Sequence, residues 1–183
     1  MELDKTFLQN SKNILGIVNI TPDSFSGDGL FKKENKLSKL LDFAERNNIS
    51  NLDIGCASSK PGYENISTQD ELNRLNYFLS NVKGNFSLSI DTSNPIVAQL
   101  ALKNNFKILN DINGFKDEEL ITTAIEYQCN VIIVHRHPKS KHLHEKMNYR
   151  NNSKEVLEHL EQKVSQLIDK GIKKQNIFID PGL

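Results

Sequence analysis

Six short apolar runs recur along this chain, and between successive runs the apolar residues switch to helical spacing. The runs are Ile14 to Ile20, Leu52 to Gly55, Phe86 to Asp91, Lys107 to Ile112, Asn130 to His135 and Asn176 to Asp180. Most are apolar on successive residues, as strands covered on both faces should be. The intervening stripes follow a 3.6-residue period. They are Leu37, Leu40, Leu41 and Ala44, then Leu72, Leu75, Leu79 and Val82, with Thr68 and Glu71 spaced as a capping box. Pro95 suits the first turn of a third helix that turns Ile96, Val97, Leu100 and Ala101 inward. Asp117 is placed to cap a fourth, bearing Leu120, Ile121, Ala124 and Ile125. A fifth runs from about Lys154 to Lys170 on Val156, Leu157, Leu160, Val164, Leu167 and Ile168, with Gly171 to end it. The order βαβαβαβαβαβ argues an α/β fold with a parallel sheet. A closed barrel and an open doubly wound sheet both satisfy it.

Each run ends in a polar or ionisable group. The first leads into Asn19, Thr21, Asp23 and Ser24; the second holds Asp53 and leads to Ser58, Ser59 and Lys60. The others end in Asp91-Thr92, Asn110-Asp111, His135 and Asp180-Pro181-Gly182. Parallel strands bring these ends to one rim, where α/β enzymes place their sites. One such residue is ordinarily a cap or turn former, but six in register suggest a pocket. Carboxylates and amides together suit a flat heterocycle carrying several N–H donors and a carbonyl. The sequence has neither a Gly-rich phosphate loop nor a G-x-S-x-G elbow.

Bulk composition narrows the partners. At 183 residues the chain suits a single domain spanning residues 1–183. Its 23 basic and 23 acidic residues balance, which gives no reason to expect a nucleic acid or a membrane surface as partner. No apolar run approaches the roughly 18 residues needed to cross a bilayer. The polar start, Met1 to Asn13, lacks a signal peptide's apolar stretch. Cys56 and Cys129 are far apart without metal-type spacing, and a cytoplasmic location with reduced thiols is expected. The His135, His137, His142 and His144 stretch, with Glu145, has the residue types of a transition-metal site. A polar loop among Lys139, Lys141 and Lys146 is the preferred reading.

Residues 15 to 29, Leu-Gly-Ile-Val-Asn-Ile-Thr-Pro-Asp-Ser-Phe-Ser-Gly-Asp-Gly, resemble the first signature of the dihydropteroate synthase family. Asp53-Ile54-Gly55-Cys56-Ala57-Ser58-Ser59-Lys60-Pro61-Gly62 resembles the second. Ser89-Ile90-Asp91-Thr92, Asn110-Asp111-Ile112 and Ile179-Asp180-Pro181-Gly182 resemble later landmarks in order. The resemblance covers nearly the whole chain and implies a (β/α)8 TIM-type barrel, with about six of eight βα units present. It also implies a reaction, in which 6-hydroxymethyl-7,8-dihydropterin diphosphate and p-aminobenzoate give 7,8-dihydropteroate and diphosphate. Pterin would be held by Asp91, Asn110, Ile112 and Asp180. Asn19 would help hold Mg2+ on the diphosphate. Asp23, Ser59 and Lys60 would be the catalytic-loop residues, and Ser24, Phe25, Ser59, Lys60 and Pro61 would form the p-aminobenzoate loops. A homodimer is implied as well.

The sequence departs from the family pattern at four places. Ser59-Lys60 stands for Thr-Arg, which keeps the charge but loses the planar fork. Cys56-Ala57 stands for Gly-Glu, and His135-Arg136-His137 stands where His-Met is usual. The fourth concerns the family's later Lys, Ser-Arg-Lys and Arg-x-His groups, which would lie beyond Leu183. The expectation is therefore a piece of a longer chain, or an inactive or split-gene fragment that binds only pterin or a partner chain. A pterin-dependent methyltransferase domain is the further alternative.

Overall fold

The computed structural model describes residues 14–22, 29–57, 66–135 and 152–182. Among them, six strands form one parallel sheet: β1 (Leu15–Asn19), β2 (Asn51–Gly55), β3 (Ser87–Asp91), β4 (Ile108–Asp111), β5 (Asn130–Val134) and β6 (Ile177–Asp180). They neighbour one another in chain order, β1-β2-β3-β4-β5-β6. That order is the barrel solution, because a doubly wound sheet reverses direction partway. Among the described residues five helices lie between the strands: α1 (Glu34–Arg46), α2 (Thr68–Asn81), α3 (Pro95–Lys103), α4 (Glu118–Glu126) and α5 (Asn152–Asp169). A 3-10 turn (Lys174–Asn176) precedes β6.

Residues on paired strands that share a row point to the same face. Val18, Ile54, Ile90, Leu109 and Ile133 point toward the helices and are completely buried. They pack with Leu37, Leu41, Leu75, Phe78, Val97, Ala101, Leu120, Ile121, Leu160 and Leu167 from the helices. The opposite face carries the rows Ile17–Asp53–Ser89–Ile108–Asn130 and Asn19–Gly55–Asp91–Asn110–Ile132–Phe178. Among the described residues β1 pairs only with β2 and β6 only with β5. The edge side chains Ile17 and Ile179 are accordingly 70% and 52% exposed.

Helix ends explain most element boundaries. Asn94 caps α3, its side chain accepting from the Ile96 N–H, and Pro95 follows at the first turn. Asp117 caps α4 by accepting from the Glu119 and Leu120 N–H groups, as its position predicts. Gly171, at φ +108°, supplies the left-handed turn after α5. Three expectations are corrected. Ile125 of α4 and Leu157 and Ile168 of α5, read as part of the apolar stripes, are 36%, 53% and 37% exposed. The cap of α2 is Ser67, not Thr68, and it accepts from the Asp70 N–H; Glu71 is turned inward instead. Ile96 is 56% exposed, because α3 turns Val97, Ala98 and Ala101 to the core.

Candidate active site

The site is built on one row of the sheet. Asn19, Gly55, Asp91 and Asn110 are successive Cα partners at the carboxyl ends of β1, β2, β3 and β4. Sheet register alone therefore sets them side by side. Gly55 is the gap in the row. A Cβ there would lie 3.0 Å from Asn19 Oδ1 and 3.7 Å from Asp91 Oδ2. A side chain there would crowd the Asn19 oxygen, while Asp91 would be met only at ordinary contact distance.

One row deeper, Asp53 is 7% exposed and Ser89 completely buried. Asn110 Nδ2 donates to Asp53 Oδ2 at 2.8 Å. That bond directs Asn110 Oδ1 elsewhere, and among the described residues this buried oxygen has no hydrogen-bond partner. A buried acceptor without a donor is costly, and a ligand N–H removes the cost. Thr21 Oγ1, just past Asn19, is likewise buried and unpartnered among the described residues.

The electrostatics favour positive or N–H-rich guests. Removal from water, first, and the charges of Asp53, Asp111 and Glu71 push the Asp91 carboxyl up to about 8. Burial also raises Asp53, against the hydrogen bond from Asn110 that lowers it; Asp53 Oδ1 and Ser89 Oγ are buried without a hydrogen-bond partner among the described residues. Carboxyls held up this way gain from any partner that supplies donors.

A hydrogen-bonded frame fixes the loops that follow β2, β3 and β4. Thr92 Oγ1 donates to the buried Glu71 at 2.6 Å, which ties the end of β3 to α2. Ser93 Oγ donates to Asp111 Oδ1 at 2.5 Å and accepts from Asn113 Nδ2 at 2.8 Å. Asp111 also accepts the Asn113 and Phe115 N–H groups at 2.9 and 2.7 Å. Asn94 Nδ2 reaches Thr68 Oγ1 at 2.8 Å. Arg74 donates to the Cys56 carbonyl at 2.9 Å and lies over the Phe31 ring. Cys56 itself is a small buried residue at a strand end, as its position suggests.

Of the residues singled out in the sequence, Asn19, Asp91 and Asn110 come together in this row. Asp180 closes β6, pairs with Val134 and lies two residues past Phe178. It therefore shares the face of Asn110 one layer nearer the rim. Its Oδ1 accepts the Gly182 N–H at 2.8 Å, and its carbonyl accepts the His135 N–H at 2.7 Å. Ile112 follows β4 in a turn, half-buried. Asp23, Ser24, Phe25, Ser59, Lys60, Pro61 and Arg136 lie outside the described residues, as do His137, His142 and His144. The described residues hold no metal-type cluster of three His, Cys, Asp or Glu. His135 instead meets His159 of α5, Nδ1 to Nδ1 at 3.0 Å. A concavity of about 940 Å³ is at the opposite end of the strands, between Ser50, Phe86, Lys107, Gln128 and Asn176.

Sequence reading counted Asp53 and Asp111 among the polar strand ends without giving them partners, took Glu71 for a capping residue, and passed over Ser93. Asp53 stands inside a recognised motif, but its contact with Asn110 spans 57 residues and follows only from register. Glu71 reads as a cap residue until α2 is docked beside Thr92.

Strands whose carboxyl ends gather amides and carboxylates in one row define an α/β protein of the barrel type, with a polar site on its rim. Residues 15–183 match the model of the pterin binding enzymes, and the chain belongs to that family. It is 31% identical over 185 residues to a dihydropteroate synthase of Streptococcus pyogenes, covering 100% of this chain and 67% of that protein. A Yersinia pestis dihydropteroate synthase with a sulfonamide drug shares the fold at TM-score 0.81 and 24% identity, over 91% of this chain and 61% of that one. A Xanthomonas albilineans dihydropteroate synthase with 4-aminobenzoic acid gives TM-score 0.76 and 26% identity, over 92% and 60%. The chain thus spans about two-thirds or less of the relatives it matches. Its six strands in order correspond to about six of the eight units of such a barrel.

Proposed function

We propose that this chain carries the pterin side of a dihydropteroate synthase. The reaction joins 6-hydroxymethyl-7,8-dihydropterin diphosphate to p-aminobenzoate. The aromatic amine forms a bond to the pterin's exocyclic methylene carbon as the C–O bond to diphosphate breaks. Diphosphate leaves with the electron pair, and the amine sheds one proton.

The observation that carries this reading is the row Asn19–Gly55–Asp91–Asn110 with the unpartnered Asn110 Oδ1 at its end. Asp91 and Asn110 accept N–H groups of the heterocycle, and Asp180 extends the same face toward the rim. The Asp91 carboxyl, favoured in its ionised form once the N–H donors of a bound heterocycle face it, would stabilise positive charge that develops on the pterin as diphosphate departs. Holding ring and amine in line is the remaining requirement, since an aniline is a weak nucleophile.

Mg2+ fits the donor set. It takes few protein ligands and prefers phosphate oxygens, and Asn19 Oδ1 offers one neutral oxygen beside the gap at Gly55. When bound it would offset the charge of the leaving diphosphate. The p-aminobenzoate loops are assigned to Asp23, Ser24, Phe25, Ser59, Lys60 and Pro61 by their motifs alone.

The test is isothermal titration of 6-hydroxymethyl-7,8-dihydropterin diphosphate into wild type, Asp91→Asn and Asp180→Asn, with a parallel assay for dihydropteroate. Binding by wild type that both variants lose, with unchanged melting, supports the site. Affinity retained in both variants refutes it. Wild-type binding without product would leave a pterin-binding protein and remove the synthase reading.

A further inference from the structure

The two polar layers of the sheet differ in what they can touch. Asn19, Asp91 and Asn110 are at the carboxyl ends of their strands, and a ligand on the rim reaches them directly. Asp53 and Ser89 are one row deeper and buried. A carboxylate in that deeper row is an odd choice for structure alone. Burial raises its pKa, and it has no cation within its described hydrogen bonds. An apolar side chain would be the cheaper filling there.

Its bond to Asn110 explains the choice. An asparagine amide has a donor end and an acceptor end of nearly equal shape, and its orientation is set by the network around it. A carboxylate only accepts, so Asp53 holds the Nδ2 end of Asn110 at 2.8 Å. Asn110 Oδ1 is then turned away, buried and unpartnered. The rim consequently shows a run of acceptors, Asn19 Oδ1, the Asp91 carboxyl and Asn110 Oδ1, across neighbouring strands.

We infer that Asp53 is a positioning residue that selects the orientation of the Asn110 amide, so that the site presents an unbroken row of acceptors and admits a heterocycle edge rich in N–H donors. This rests on the pterin reading above, and it assigns discrimination within that site to a residue two positions below the strand ends that form the rim. Ser89 is the register partner of Asp53 on β3, and its hydroxyl is buried without a partner among the described residues.

The variants are Asp53→Leu, which removes the acceptor and keeps the branched outline with two bulkier methyl groups, and Asp53→Asn, which keeps an acceptor for Nδ2 and offers its own amide to Ser89. They are made in the full-length protein and titrated with 6-hydroxymethylpterin, with KM measured for both substrates. Asp53→Leu should weaken pterin binding and raise the pterin KM at least tenfold, with the p-aminobenzoate KM within twofold of wild type. Its melting temperature should stay level or rise, since a buried carboxyl has gone. Asp53→Asn should restore pterin affinity to within threefold. If Asp53→Leu does not fold, Asp53→Val should show the same tenfold loss. Pterin affinity unchanged in the apolar variant overturns the inference, as does an equal loss in Asp53→Asn. Wild type that does not bind the probe overturns the pterin reading and this assignment with it.

Discussion

Gly55→Ala separates the site from the fold. Gly55 is inside β2 without a positive φ, so alanine suits the backbone. Removing a glycine's freedom from the unfolded chain stabilises by about 0.4–1 kcal/mol. Against that, the new Cβ lies 3.0 Å from Asn19 Oδ1, and the side chain must retreat by a few tenths of an ångström. Asn19 is half-buried at a strand end, and its amide has room to turn. The two effects should cancel to within about 1 kcal/mol, which for a chain of this size is a melting shift under about 4 °C. Binding should respond differently. The methyl fills the space between Asn19 and Asp91 and displaces the oxygen proposed to serve the metal–diphosphate group. Losing one contact to a charged group costs about 1.5–3 kcal/mol, or about 10- to 150-fold in Kd. Titration with dihydropterin diphosphate and Mg2+ reads this directly, and 6-hydroxymethylpterin, without diphosphate, should lose much less. Undiminished affinity for the diphosphate ester would refute the reasoning. So would a fall in melting temperature above about 10 °C, which would make the glycine structural.

Three further outcomes follow from the same geometry. Asp91 is raised to about 8 in the fold against 3.8 for a free aspartate. The folded chain therefore keeps a proton that the unfolded chain releases. The stability contributed by this proton is fully present below about pH 4 and is lost as pH climbs through about 8. Melting curves across that range should show the decline, and Asp91→Asn should flatten it. Thr92→Val strands the buried Glu71 oxygen that Thr92 now supplies at 2.6 Å, at about 1–3 kcal/mol by thermal or urea denaturation. Asp117→Ala removes two N–H partners from the start of α4 and should cost about 0.5–2 kcal/mol in the same assay, with pterin affinity unchanged.

The parts of the fold legible in the sequence were those fixed by local chemistry. All six strands fall within a residue or so of their apolar runs, and Pro95, Asp117 and Gly171 mark helix ends where their backbone preferences require. Strand order was not legible, because the same alternation serves an open sheet; the β1-to-β6 pairing decides it. The misread residues share one cause. Ser67 competes with Thr68 for the cap, and only the docking of α2 against Thr92 turns Glu71 inward. Ile96 is apolar and in phase, yet the neighbours of α3 cover a narrower face. Of the site, Asn19, Asp91 and Asn110 could be found at strand ends. Asp53 and His159 could not be given partners, since those partners are 57 and 24 residues away.

Register accounts for why so few residues define the pocket. Asn19, Gly55, Asp91 and Asn110 each belong to a strand that is paired to the next in the row. Shifting any one strand by a single residue would turn its side chain to the helix face. Fully buried Val18, Ile54, Ile90 and Leu109 occupy that helix face, and a slip would bring Asn19, Asp91 and Asn110 into the core. Core packing and site geometry are thus the same constraint. The apolar residue at each strand's penultimate or neighbouring position holds the polar one on the rim. A conservative swap such as Ile90→Val should therefore cost about 0.5–1.5 kcal/mol of stability and leave the row intact. Ile90→Asn would reverse the preference of β3, and pterin binding should be lost with the fold.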